Sequence, residues 1–577
     1  MSRHNFFLPL LGYVALFLGD WLHASDFTSK LVNCKLTNSY GKQVTLEEYA
    51  DRPILVLAFL GTECPLAKLY GPRLDEIQQR FQEQGVAVVG INSNNQDNLT
   101  ELAQYVRRMA IRFPVLKDVG NILADAMGAS RTPEVFVLDS HRDVRYHGRI
   151  DDQYGVGFTR ERPERSDLVI ALEELLRGDA VSVPETKALG CIIGRVKQTA
   201  ASGEITFSKH IAPILNARCV SCHREGEIGP FTLTSYEDVL GWEDTILEVI
   251  DDRRMPPWNA NPAFGHFQND PRLTTEEIEL LRSWVKNGMP PGSDDDLPPQ
   301  PQFALGWRIP EPDQVFKMRD TAFRVPAEGV VEYKHFTVDP GWTEDKYICA
   351  AEARPDNRSV VHHILVYVVL PGQDKRKLDK ILVGYAPGSV PVQFEEGTAL
   401  HIPAGSKLLF QMHYTPNGTE QSDLSYAGVC FVDKDKVTRL AQGHAAVDSE
   451  FEIPGGADSF PVTARPFPIR RDEMLISMTP HMHLRGKSFR YEAEFPSGQR
   501  EVLLDVPRYD FNWQLKYILS EPKLLPAGTK IHCSAVYDNS PNNPVNPDPT
   551  QSVRWGDQSW EEMMIGFFDT VPASPVE

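Results

Sequence analysis

Beyond residue 24 the chain has no apolar run that approaches the roughly 20 residues a bilayer-spanning helix needs. It also lacks an excess of positive charge. Lys and Arg total 59 against 79 Asp and Glu, a net charge of -20. That balance argues against nucleic acid and anionic membrane surfaces as partners, because both are bound through Lys and Arg. Cysteine is scarce: eight in 577 residues, too few for a disulfide scaffold. Helical periodicity is almost missing after residue 303, where short β-type runs alternate with Pro and Gly turns. What remains is a long globular chain, too long for a single core, so several domains are expected.

Residues 1–24 read as a secretory signal peptide. Arg3 and His4 precede the apolar run Phe6 to Gly19, and Leu22-His23-Ala24 forms a cleavage site. A retained N-terminal anchor is the alternative. Either reading places the protein outside the cytoplasm, periplasmic or secreted in a bacterial type of cell.

The central signature is Cys219-Val220-Ser221-Cys222-His223. CxxCH is the attachment sequence of c-type haem: two thiols add to the vinyl groups and the next imidazole reaches the iron. A zinc knuckle would need two further ligands at short spacing, and none occurs before His266. Met255, in Arg254-Met255-Pro256-Pro257-Trp258, is the candidate for the other axial ligand, because the prolines forbid helix and hold it on a rigid loop. Met289 and His266 compete for that role. With a helix before the motif (Ile205–Asn216) and another at Thr274–Asn287, this stretch resembles the small monohaem cytochromes fused to bacterial oxidases and oxygenases.

Residues 25–185 alternate strand and helix, the order of an α/β thioredoxin-like domain. Phe59-Leu60-Gly61-Thr62-Glu63-Cys64-Pro65 resembles the active-site turn of the thioredoxin and peroxiredoxin superfamily. A thiol at the N-terminus of a helix has its pKa lowered by the unpaired N–H groups and the dipole. Thr132-Pro133 matches the superfamily's cis-proline turn. The second cysteine of a CxxC would fall at Ala67, so the local dithiol is lost. Cys34 or Cys191 would then resolve Cys64; a one-cysteine peroxidase and a non-redox scaffold are the other readings.

Histidine clusters in the last half: Val361-His362-His363-Ile364, Gln411-Met412-His413-Tyr414 and Thr479-Pro480-His481-Met482-His483. Alternate strand residues share a face, so His481 and His483 can hold one metal. His362 and His363 can do so only where the strand is distorted. A thioether joining imidazoles favours copper that cycles between Cu(I) and Cu(II). These motifs resemble the copper type II, ascorbate-dependent monooxygenases, the family of peptidylglycine α-hydroxylating and dopamine β-monooxygenases. The resemblance implies two β-sandwich (jelly-roll) domains and two copper ions. His362, His363 and His413 would hold the electron-transfer copper. His481, His483 and Met563, the last in Glu561-Glu562-Met563, would hold the copper where O2 reacts, with Met564 as the off-by-one alternative. The positions matching that family's carboxylate grip are Thr479, Ile565 and Phe567, none of them charged, so a small apolar or aromatic organic substrate is expected.

The expected organisation is thus a signal peptide (1–24), thioredoxin-like domain (25–185), linker (186–204), all-α cytochrome c domain (205–293), linker (294–304) and two all-β sandwiches (305–445 and 446–577). The function it points to is an exported copper-dependent monooxygenase. Its electrons would come through the tethered haem and an external donor, and Cys64 would form an accessory thiol site. A non-hydroxylating electron-transfer protein or thiol peroxidase is the rival.

Overall fold

The structure, a computed structural model, describes residues 34–304, 306–372 and 380–574. The leader read over residues 1–24 lies outside them.

The N-terminal part is built on a seven-stranded sheet, in the order Gln43–Thr45, Lys35–Asn38, Val115–Lys117, Val86–Asn92, Ile54–Phe59, Glu134–Leu138 and Val144–Gly148. Ile54–Phe59 and Val86–Asn92 run parallel and are buried at every residue. That is what continuous apolar strands become when both sheet faces are covered. Helices Pro65–Phe81, Leu99–Arg108 and Asp167–Leu176 pack on one face, and Ile122–Met127 on the other. The fold is α/β and thioredoxin-like, and the Thr132-Pro133 peptide is cis, as that turn requires.

The linker that follows is not free. Cys191–Ile192 pairs antiparallel with Arg131–Thr132, and Ile193 is fully buried in the core beneath. Two paired residues are too few to leave a periodic pattern in the sequence.

Residues 205–293 supply four α-helices: Ala212–Arg218, Tyr236–Val239, Glu243–Asp251 and Thr275–Lys286. Thr274 and Glu277 form a reciprocal capping box at the start of the last one. Phe207, Leu215, Trp284 and Met289 make their core. One stretch leaves this unit. Trp258, Ala260 and Phe267 are buried in the core of the C-terminal sheets. Asn261 N donates to Asp505 O, and Gln268 N to Ile518 O, stitching the stretch along that surface.

The remainder forms two units, each with two sheets around a core. In the first, the sheet Lys334–Val338, Lys407–Tyr414, Val361–Val369, Ile381–Tyr385 faces one centred on Lys346–Arg354 and Tyr426–Phe431. In the second, Gln442–Asp448, Met564–Pro572, Glu473–His481 and Tyr517–Leu525 face a sheet containing Lys530–Tyr537 and Gly486–Glu494. The histidine-bearing sheets of the two units line a common cavity of about 150 Å³.

Candidate metal and thiol sites

Strand Val361–Val369 pairs with Lys407–Tyr414, and the register sets His363 opposite His413. The register shifts between Val361 and His363. That irregularity removes the strict alternation that would send neighbouring side chains to opposite faces. His362 therefore joins the other two, and ligand nitrogens of all three lie within 4.8 Å of one another. Nδ1 of His362 and Nδ1 of His363 are 3.4 Å apart. Nε2 of His362, Nε2 of His363 and Nδ1 of His413 are buried without a hydrogen-bond partner. Leaving one buried polar group unpaired costs about 1–3 kcal/mol, and three such nitrogens this close together could hold a metal ion. Burial holds His362 down at about 4. His363 and His413 are pushed well below the ordinary histidine value, by burial and then by the neighbouring imidazoles. All three are neutral at pH 7, the form that ligates metal.

The second set is built across another strand pair. His481 ends Glu473–His481 opposite Ile565. His483 lies two residues beyond the end of that strand, and Met563 immediately precedes the partner strand Met564–Pro572. The His481 and His483 rings are perpendicular, 5.2 Å apart. His481 Nδ1 pairs with Gln514 Oε1 at 2.8 Å, and His483 Nδ1 with the Glu561 carbonyl at 3.2 Å. These contacts fix both rings and leave His483 Nε2 a buried orphan. The turn is clamped by Glu562, whose carboxylate accepts from the backbone N–H of His483 (2.8 Å) and of Arg485 (2.6 Å). Burial pushes Glu562 up to about 8, against the pull of those N–H groups and the Arg485 guanidinium. Met564 is fully buried in the core, whereas Met563 is only half-buried. Met563, one residue ahead of strand Met564–Pro572, is thus the less enclosed of the two methionines. The loop 538–550 packs on the same turn, with Asn539 accepting from Arg485 Nε and Asn543 donating to the Leu484 carbonyl.

The two sets are neighbours. The Tyr333 ring lies 5.3 Å from His363, 4.8 Å from His413 and 6.2 Å from His483. Phe511 lies 5.7 Å from both His362 and His413 and 5.9 Å from His483. Tyr333, Phe511 and Gln514 carried no motif in the sequence, and Glu562 stood there only as part of the motif that ends in Met563. The cavity beside His363 and His481 is lined by Leu365, Tyr385, Thr479 and Phe567, and by the ion pair Lys516–Asp569 at 2.7 Å. The expectation of an uncharged pocket is thus amended: one internally neutralised pair sits in its wall.

The CxxCH residues occupy a single turn. Cys219 follows helix Ala212–Arg218, and its carbonyl accepts from the N–H of Cys222 (3.1 Å) and of His223 (2.9 Å). His223 Nδ1 pairs with the Phe231 carbonyl at 3.1 Å, so only Nε2 could ligate a metal. Met255 is half-buried on a non-helical loop, its N–H bonded to the Val249 carbonyl. Of its competitors, Met289 is packed in the helical core and His266 runs beside strand Tyr517–Leu525, its carbonyl accepting from Ser520 N. The motif faces the first sandwich: Cys222 lies close enough to Tyr385 to influence its ionisation, and Arg358 pairs with Glu227.

Cys64 caps helix Pro65–Phe81 and is buried; its thiol donates to the Thr132 carbonyl at 2.9 Å. Cys34 is held in the core on the opposite face of the sheet, pushed up to about 11 by burial and Asp118. Cys191 instead is brought to Cys64: it pairs with Thr132, the residue whose carbonyl accepts the Cys64 thiol. Burial would raise the Cys64 thiol, but the Cys191, Ala67 and Thr132 contacts hold it down to about 6. Cys349 and Cys430 lie on adjacent strands as thiols, each directed at a carbonyl, of Cys430 and of Pro310 respectively.

Comparison with known proteins bears on the N-terminal part. Residues 24–147 match the AhpC/TSA family. The chain is 24% identical over 145 residues to the thiol-disulfide oxidoreductase ResA of Halalkalibacterium halodurans, covering 24% of this chain and 81% of that protein. It is 24% identical over 112 residues to the protein of the same name in Bacillus thuringiensis subsp. konkukian, where it spans 63% of the relative's length. A solved hypothetical protein from Sinorhizobium meliloti 1021 aligns at 32% identity with a TM-score of 0.26, over 28% of this chain and 90% of that one.

Proposed function

We propose that the protein is an exported, copper-dependent monooxygenase that hydroxylates a C–H bond of a small, largely apolar or aromatic substrate. The observation that carries this reading is the set of orphaned imidazole nitrogens in His362, His363, His413 and His483. His362, His363 and His413 would hold one copper; His481, His483 and Met563 would hold the other. Such ions supply one-electron chemistry toward O2, and the soft thioether favours the Cu(I) state that reaction needs. Cys219 and Cys222 would hold a c-type haem, with His223 and the candidate Met255 as ligands to its iron; such a group would supply one-electron chemistry.

The chain's own groups have definable tasks. Gln514 and the Glu561 carbonyl orient the two imidazoles of the second set. Glu562 locks the turn between them. Tyr333 and Phe511 fill the space between the two sets and exclude water from it. Thr479, Phe567 and Leu365 offer the substrate an apolar wall within a cavity of about 150 Å³, room for one small ring or short chain. The thioredoxin-like domain adds a thiol function, a reading supported by Cys64 at the helix N-terminus and by the relatives named as thiol-disulfide oxidoreductases.

The test is stopped-flow spectroscopy of the reduced haem. In copper-loaded protein, O2 with a substrate from a screen of small aromatic and aliphatic compounds should reoxidise the haem faster than in copper-free protein, with hydroxylated product formed. Equal rates and no product would leave an electron-transfer protein instead.

A further inference from the structure

The thioredoxin-like domain lacks its local second cysteine, and the fold replaces it from a distance. Ala67, where that thiol would stand, is fully buried, with no room at the surface for a reacting group. The chain returns to the same place 124 residues later. Cys191 is opposite Thr132 in the short antiparallel pairing, and Thr132 is the residue whose carbonyl receives the Cys64 thiol.

This approach is built rather than incidental. Gly190 precedes Cys191 with φ +134, and a Cβ there would sit 2.0 Å from the Thr132 oxygen. Only glycine lets the strand come that close. Arg131 donates to the Gly190 carbonyl at 2.8 Å and pairs with Glu248 of helix Glu243–Asp251, so the strand is held from its far side as well. Ile193 anchors the next turn in the core. The Thr132 hydroxyl, buried and without another partner, is directed at Cys64.

We propose that Cys64 and Cys191 form a reversible disulfide, making a two-cysteine redox site from the thioredoxin-like domain and the strand that follows it, with small-molecule thiols as its exchange partners. The two sulfurs are unequal. Cys191 is half-buried, whereas Cys64 is 1% exposed beneath it. An incoming thiolate therefore attacks Cys191 Sγ, the S–S bond breaks, and Cys64 leaves as a thiolate. The hydrogen bonds around Cys64 make it the better leaving group. A second thiol then attacks the sulfur of the first, and Cys191 leaves as the thiolate. Two thiols become one disulfide, and the protein gains two hydrogens. This arrangement reverses the usual exposure of a helix-capping thiol: here the capping sulfur is the protected one.

The experiment equilibrates the full chain in graded mixtures of reduced and oxidised dithiothreitol, followed by acid quenching, alkylation and peptide mass spectrometry. The expected result is one two-electron transition that links the Cys64 and Cys191 peptides and leaves Cys34 a thiol throughout. Cys34→Ser should keep the transition. Cys191→Ser should abolish it. A disulfide between Cys64 and Cys34 would overturn the proposal. So would a Cys64 that stays free at every mixing ratio in protein with native circular dichroism.

Discussion

Arg358, four residues before His362, forms an ion pair with Glu227, five residues after Cys222. The pair joins the first sandwich to the loop of the CxxCH turn and is mostly shielded, with side-chain exposures of 22% and 15%. It fixes how the proposed haem and the first histidine set approach each other.

Arg358→Ala should therefore slow electron transfer between the two without emptying either site. Stopped-flow traces should show haem reoxidation several-fold slower at unchanged haem and copper content. Unfolding should shift by only about 1–2 kcal/mol, since a partly shielded pair falls between the exposed and the fully buried case. An unchanged rate would remove this contact from the route.

Copper stoichiometry separates the two histidine sets. His413→Ala should lower bound copper from two ions per chain to one, and His481→Ala should do the same. The double variant should bind none. Elemental analysis after gel filtration reads this directly, and equal copper in all four proteins would contradict the assignment.

The adjacent methionines should part company. Met564 is fully buried in the core, so Met564→Ala should cost about 2–5 kcal/mol in denaturant unfolding. Met563 is half-buried beside the second histidine set, so Met563→Ala should leave stability nearly intact and abolish product formation. The opposite pattern would make Met564 the ligand.

Glu473 predicts an acid-sensitive edge in the second sandwich. Burial would raise its carboxyl, but hydrogen bonds from His444, Thr570 and Arg471 hold it down to about 2, from 4.5. Its folded-state value is depressed, so the stabilisation is complete above pH 4.5 and disappears as pH falls toward 2. The shift corresponds to roughly 3 kcal/mol. Glu473→Gln should flatten the stability profile between those values in urea titrations, with Thr570 Oγ1, 2.5 Å away, losing its charged acceptor.

What the sequence made legible follows from how each signal is encoded. Cys64 was readable because strand, thiol and helix are contiguous, and the helix N-terminus is where such a thiol belongs. His481 and His483 were readable as partners because alternation is a local rule. The gathering of His362 with His363 depended on a register shift at Val361, which no residue type announces. Tyr333, Phe511 and Gln514 were invisible for a related reason. Each reaches the histidines only through tertiary packing, and an isolated aromatic or amide carries no spacing to read. Cys191 stood between: it could be nominated by counting thiols, but only the two-residue pairing with Arg131–Thr132 selected it over Cys34.

Trp258 gives the helical unit an unusual standing. In the sequence the unit is joined to its neighbours only by linkers at 186–204 and 294–304. Yet the indole, 6% exposed, is sunk among Phe267 and Tyr517 in the C-terminal sandwich, while Arg508 grips the carbonyls of Asp252 and Arg253 just ahead of Met255. The loop bearing the candidate iron ligand is thereby a shared component of two modules. Excising residues 205–293 as a stand-alone carrier would strip an anchor from each side of the cut, leaving an aromatic plug without its socket and a β-sandwich with an open seam.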